Sequence, residues 1–243
     1  MWADDEADLI LATACDAAEA KAMAQRRATG EPIEVVVGWA AFCGLRIEVT
    51  PGVFVPRRRT EFLARRAAAL ARPGAVVVDM CCGTGAIAAV VADSLRTGQC
   101  QLWACDVDPA AVAVARRNLA AYDATVVRAD LFAGLPPRLR GSIDVLVANV
   151  PYVPRDEVAT LPAEARDHEP RHALDGGADG LDVLRRLARA AGDWLAAGGV
   201  MLTEVSQAQV PHALALFEAC RMGAETWTSD TEEAWVVLAR RER

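Results

Sequence analysis

The residues best able to do chemistry stand in two short runs. The first, Asn149-Val150-Pro151-Tyr152, offers a neutral side-chain carbonyl, a backbone carbonyl that the following proline holds extended, and an aromatic ring. Two such acceptors can take both N–H groups of a planar amide or amine and leave its lone pair free to attack. The chemistry implied is substitution at a weakly nucleophilic nitrogen, promoted by positioning rather than by a strong base. Taken alone, the run is also compatible with an ordinary proline turn after a buried strand. The second run, Asp79-Met80-Cys81-Cys82-Gly83-Thr84-Gly85-Ala86, is an acid followed by a glycine turn, in which a ligand can lie close against the backbone.

Gly83, Gly85 and Ala88 also satisfy the dinucleotide fingerprint, with Asp106 near the place of a ribose-binding acid. A nicotinamide-dependent dehydrogenase is therefore a rival on motif count. Charge separates the two. A pyrophosphate needs bare amides and a positive helix end, which Asp79 opposes, whereas S-adenosylmethionine carries an ammonium and a sulfonium that an acid attracts. Helix capping is the plainer role open to Asp79. Asp106 can take both ribose hydroxyls, and Asp108 reads as the cap of a helix beginning at Pro109. Asp130 can accept an adenine amino group beside apolar Leu131, loop solvation being the alternative. The expected cofactor is S-adenosylmethionine, held by Asp79, Cys81, Gly83, Gly85, Asp106, Asp130, Leu131 and Asn149. The expected catalytic set is Asn149, Val150, Pro151 and Tyr152.

These runs need a scaffold. From Pro73 onward apolar strands alternate with helices of about a dozen residues, the pattern of an α/β fold with a mostly parallel sheet covered on both faces. Strands are expected at 76–80, 102–106, 125–128, 143–149 and 200–205, with a closing antiparallel hairpin at 225–228 and 234–239. Helices are expected at 86–95, 109–121 and 181–195, the last ended by Gly198 and Gly199. Upstream, the Ala-rich stretch 2–27 reads as one helix, and the short runs 35–37 and 45–49 as a small hairpin. Residues 1–55 are thus expected as a short N-terminal helical region with a small hairpin, and 56–243 as the catalytic domain.

Of 243 residues 53% are apolar and only 5% aromatic, enough to build a core from Ala, Val and Leu. A net charge of −7 opposes capture of nucleic acid. Seven cysteines without a CxxC pair argue against a disulfide framework or structural zinc. With no apolar span of about 18 residues and an acidic start at Asp4, Asp5, Glu6 and Asp8, the expectation is a soluble, cytoplasmic protein; its oligomeric state is left open, a monomer being favoured. His168-Glu169-Pro170-Arg171-His172 spells the zinc-protease pattern, but Pro170 breaks the continuous helix that this mechanism needs, so no metal is expected. Arg57, Arg58 and Arg59 read as a solvated helix start, a phosphate or acidic partner being the alternative.

From about Arg27 to the C-terminus the sequence resembles the HemK/PrmC group of glutamine N5-methyltransferases. Gly30-Glu31-Pro32 resembles the group's opening motif, and Pro51 to Arg57 with Thr60-Glu61 resembles its PGV(L/I)IPRxxTE segment. The glycine turn, Asp106, Asp130-Leu131-Phe132 and the NPPY-like site follow in order. Glu169-Pro170-Arg171 with Ala173 to Gly177 resembles the EPxxAL(D)GG loop, and Glu204 matches an acid on the fifth strand, its exposure left open. The resemblance implies a class I methyltransferase fold, a release-factor glutamine as acceptor, and Arg57, Glu169 and Pro170 on the substrate side. Three departures stand out: Val150 replaces a proline, Cys81 and Cys82 replace Gly and Thr, and the N-terminal region is short for the group. A small-molecule amide, an exocyclic nucleobase nitrogen, or a non-catalytic S-adenosylmethionine-binding module are the competing readings.

Overall fold

The computed structural model describes residues 3–95 and 99–241. Trp2 and the side chain of Asp4 lie outside the described residues. The expected first helix is two, α1 (Ala3–Thr13) and α2 (Ala17–Ala28). The break is chemical: Asp16 turns extended and accepts the amide of Glu19, while Glu19 reaches back to the amide of Cys15. The run 35–37, expected as a strand, lies in the one-turn helix α3 (Ile33–Val37). The Pro32 carbonyl accepts from Val35 and Val36, and Gly38 closes the turn in the left-handed region. Burial of Ile33, Val35, Val36 and Val37 overrides their β preference. The hairpin instead pairs β1 (Trp39–Phe42) with β2 (Leu45–Glu48).

After α4 (Thr60–Leu70), β3 (Val76–Met80), α5 (Ala86–Leu95), β4 (Gln101–Asp106), α6 (Pro109–Asn118), β5 (Ala124–Arg128) and β6 (Ile143–Ala148) alternate. The short α7 (Ala163–His168), α8 (Asp182–Trp194), β7 (Leu195–Val205), α9 (Val210–Ala219), β8 (Met222–Ser229) and β9 (Ala234–Arg241) complete the chain. The seven strands β3 to β9 run in the order β5-β4-β3-β6-β7-β9-β8, parallel except for the pairings of β9 with β7 and β8. Alternate side chains feed two faces. Val77, Val145 and Leu202 meet α4 and α5, while Val78, Leu146 and Met201 meet α8 and α9.

The strand order reverses at β3 and β6, where ligands bind at the carboxyl ends of an open α/β sheet. Met80 is paired with Ala148, so Cys81 and Asn149 leave neighbouring strands side by side. One expected signal is reassigned: Gly198 and Gly199 do not end a helix, because α8 stops at Trp194 and Leu195 already belongs to β7. They lie at an irregularity in the register between β6 and β7, where a Cβ on Gly199 would come within 2.6 Å of the Ile143 carbonyl oxygen. We predict that Gly199→Ala lowers stability by about 1–3 kcal/mol, as overpacking against backbone does. A urea midpoint equal to that of the wild type would contradict this account of the bulge.

Candidate active site

The turn after β3 is tied down from two sides. Cys82 donates to the carbonyl of Cys105, and Gly83 donates to Asp106 Oδ2 at 2.9 Å, while Asp106 Oδ1 accepts from Asp108. Cys81 adopts a φ of 57°, a conformation that glycine takes without strain. Gly85 is required for packing, since a Cβ there would meet Ala115 and Leu119 at 3.2 Å. Asp108 caps α6 through the amide of Ala110, as expected.

Asp79 lies beneath this turn with no exposed surface. Its Oδ2 accepts from the amide of Ala88 in the first turn of α5, so the capping role is real. Its Oδ1 is buried without a partner. Burial pushes its pKa up to about 7, partly opposed by the Ala88 amide. Asp106 is raised in the same way, against the amides of Asp108 and Gly83. A buried carboxylate oxygen lacking a donor, with a second acid at the cleft wall, fits a ligand that brings a cation and hydroxyls and is unsuited to a pyrophosphate.

A single cleft of about 570 Å³ is lined by Cys81 to Thr84, Asp106, Asn149 to Val153, Phe54, Arg57 to Thr60, Pro170 and His172, among others. The glycine turn and the Asn149 run therefore share one cavity. Asn149 donates through Nδ2 to Thr60 Oγ1 at 3.3 Å, and its Oδ1 is buried without a partner. The Val150 side chain is buried in the core below. Glycines of the following loop let it lie on this run. A Cβ on Gly176 would sit 2.6 Å from the Pro151 carbonyl oxygen, and Gly176 donates to Val153. Tyr152 is gripped at both ends: its hydroxyl donates to Glu204 Oε1 at 3.1 Å, and its backbone carbonyl accepts from Gln209 Nε2 at 2.8 Å.

The segment before α4 is locked onto the site by two buried acids. Glu169, with a side chain only 1% exposed, holds Arg57 at 2.5 Å and accepts the Val55 amide. Glu204, 2% exposed, holds Arg59 Nε at 3.2 Å, and Arg59 lies over the Tyr152 ring. Glu169 thus braces the wall, while Arg57 and Pro170 line the cleft itself. Asp79, Gly85, Asp130 and Leu131 stand outside this lining. Asp130 is exposed and forms a two-pronged pair with Arg186 at 2.8 and 2.9 Å, and Leu131 is buried in the core beside Phe132. The histidine pair shares no helix, because α7 ends at His168 and His172 turns to Asp108 at 3.2 Å. Thr60, Arg59 and Gln209 were not singled out as site residues by sequence reasoning. The Thr60-Glu61 motif pointed near the first, and Arg59 was read with Arg57 and Arg58 as a solvated helix start, whereas its Nε pairs with the buried Glu204.

A seven-stranded sheet with an acid-flanked glycine turn and an acceptor run at its switch point defines the methyltransferase class of α/β proteins. A family model described as a methyltransferase domain matches residues 77–168. A methyltransferase structure from Pyrococcus furiosus shares the fold, with a TM-score of 0.62 at 18% identity, covering 90% of this chain and 98% of that one. The release factor glutamine methyltransferase of Mycolicibacterium smegmatis is 44% identical over 73% of this chain, which spans 63% of that protein's length. The enzyme of the same name from Geobacter sulfurreducens is 37% identical, covering 82% of this chain and 69% of that protein. A 4-amino-L-phenylalanine/4-methylamino-L-phenylalanine methyltransferase from Streptomyces pristinaespiralis is 38% identical, covering 80% and 68%. The chain belongs to the release factor glutamine methyltransferase family.

Asp79 makes a pH-dependent prediction. The folded protein holds its proton more tightly than the unfolded chain, so the stabilising contribution is full below about pH 4 and is lost as pH rises through about 7. Asp79→Asn is therefore expected to raise the melting temperature of the cofactor-free protein most at pH 8 and less at pH 5. A stability gap that is flat with pH would refute the buried, uncompensated charge.

Proposed function

We propose that this chain transfers the methyl group of S-adenosylmethionine to the side-chain amide nitrogen of a glutamine in a protein, a release factor being the acceptor its relatives' names indicate. What supports the reading is Asn149, which lines the same cleft as the glycine turn after the neighbouring strand and whose Oδ1 is buried without a partner. Asp79, Cys81, Gly83, Gly85 and Asp106 would hold the cofactor, with Asp130 and Leu131 at the outer edge of that set. When bound, the cofactor supplies an electrophilic methyl group.

The chain's own residues do the rest by orientation. Asn149 Oδ1 and the Val150 carbonyl accept the two amide protons and so hold the acceptor nitrogen's plane fixed. Val150 stands where the family has its first proline; Pro151 restricts it to extended backbone, and the Gly176 loop packs against the Pro151 carbonyl. The Tyr152 ring, fixed through Glu204 and Arg59, forms a flat wall for the amide. Residues 1–55 are assigned to acceptor recognition, with Arg57, Glu169 and Pro170 shaping that side, and the protein is assigned to the cytoplasm. No helix among the described residues is long and apolar enough to cross a membrane.

The direct test is labelled S-adenosylmethionine with a purified release factor, followed by mass mapping of the product. Label on a glutamine is the expected result, and Asn149→Ala is expected to reduce transfer by about 100-fold with cofactor affinity retained. Binding without transfer to any acceptor would leave only a cofactor-binding module.

A second reading has its own support. Arg58 and Glu233 line the cleft, and among the described residues neither side chain has a hydrogen-bond or ion-pair partner. A free amino acid bearing an aromatic amine, like the acceptor named for the Streptomyces relative, would engage both with its carboxylate and ammonium. If 4-amino-L-phenylalanine is an acceptor, Arg58→Ala is expected to raise its KM by about ten-fold or more, the value of a hydrogen bond to a charged group. Methylation of a release factor should be unaffected. An unchanged KM for the amino acid would remove Arg58 from recognition.

A further inference from the structure

We infer that Gln209 is a positioning residue whose side-chain amide clamps the exit of the Asn149 run and so sets the Tyr152 ring and the Val150 carbonyl against the acceptor. The inference rests on the roles proposed for those two groups. Gln209 is buried at the end of the single helical turn Gln207–Gln209 that leads from β7 into α9. Its plain role there is in a capping box: Oε1 accepts the Ser206 amide at 3.1 Å, while the Ser206 side chain accepts the Gln209 amide. That role uses only the oxygen, and a glutamate fills it equally well. The NH2 group is surplus to capping.

It is spent on the acceptor run. Nε2 donates to the Tyr152 carbonyl at 2.8 Å and to the Asp179 carbonyl at 3.1 Å. Both carbonyls can only accept and the Ser206 amide can only donate, so the orientation of the Gln209 amide has one solution. A glutamate here would set a carboxylate oxygen against two carbonyl oxygens. Gly180 keeps room for the contact, since a Cβ there would overlap both the Tyr152 carbonyl oxygen and Gln209 Nε2. The following residue is held separately, Val153 donating to the Leu174 carbonyl and accepting from the Gly176 amide. The corner between β7 and α9 thus grips Tyr152 at two points, the hydroxyl through Glu204 and the carbonyl through Gln209. Upstream, the ring of Pro151 locks its own φ, so fixing the Tyr152 carbonyl restricts the swing left to the Val150 carbonyl. Loss of the clamp frees ring and carbonyl together, and leaves the glycine turn tied to Asp106 and Cys105 as before.

The test compares Gln209→Glu, which keeps the capping oxygen and loses the donors, with Gln209→Met, which keeps the length and loses both. The acceptor used is whichever of a purified release factor and 4-amino-L-phenylalanine the wild type methylates. Rates are measured at about pH 9, where the introduced carboxyl is ionised. Both variants are expected to lower kcat by about ten-fold or more, with the affinity for S-adenosylmethionine within about two-fold of wild type. Wild-type kcat in Gln209→Glu would reduce Gln209 to a cap and overturn the proposal. A loss of cofactor affinity as large as the loss of kcat would mean general loosening of the site, and overturns it too.

A second readout does not depend on turnover. The chain has two tyrosines, so protein labelled with 13C at the tyrosine carbonyl gives two carbonyl signals, of which the one lost in Tyr152→Phe belongs to Tyr152. A carbonyl that loses a donor shifts upfield. The Tyr152 signal is expected to do so in both Gln209 variants while that of Tyr122 stays in place, and an unmoved Tyr152 signal overturns the proposal. If Gln209→Glu does not fold, Gln209→Met carries both measurements, and its wild-type kcat would then count against the clamp. Were the wild type to methylate neither acceptor, the proposed function would fail, while the carbonyl signal would still decide whether Gln209 holds Tyr152.

Discussion

The parallel pairing of Met80 with Ala148 is the constraint on which the rest depends. It makes the last ladder step of β3 and β6 coincide, so the glycine turn and the acceptor run leave the sheet at one level and at neighbouring positions. Slipping this register by one residue would exchange the faces of every side chain on β6, sending Val145 and Val147 out of one core layer and Leu146 and Ala148 out of the other. The packing of both layers thus enforces the placement of the chemistry.

Around this register the protein spends buried charge on geometry. Glu169 and Glu204 come from two distant parts of the chain, and each grips an arginine from the short segment before α4. Buried ion pairs are weak contributors to stability, because desolvation offsets their attraction, but they fix position well. Here they hold Arg57 and Arg59 on either side of Arg58 and set Thr60 against Asn149. Asp79 is the extreme case, with half of its carboxylate committed to α5 and the other half without a partner.

Much of this was legible one residue at a time. Strand β3 and helix α5 fall at the expected residues because an unbroken apolar run and a glycine-to-alanine transition leave little choice. The hairpin of β8 and β9 and the cap of α6 by Asp108 were equally local. What misled was also local. Val35 to Val37 carry β-branched side chains that suit a strand, yet Pro32 and Gly38 bracket them into one buried helical turn. Asp16 divided a stretch whose alanines alone would have continued a single helix. The partner of Asp130, by contrast, comes from afar: Arg186, over fifty residues later, reaches both of its oxygens.

The sequence by itself determined the class of fold and the kind of chemistry, because periodicity, a glycine turn and an Asn-Val-Pro-Tyr run are each encoded within a short stretch of chain. Tertiary structure alone decided which groups remain available to act. Whether a carboxylate is a brace, as Glu169 is, or a buried acceptor awaiting a donor, as Asp79 is, depends on partners brought from elsewhere in the chain. Asn149 likewise meets Thr60, 89 residues before it. Such pairings follow from packing two core layers on one sheet, a global outcome that no local pattern carries.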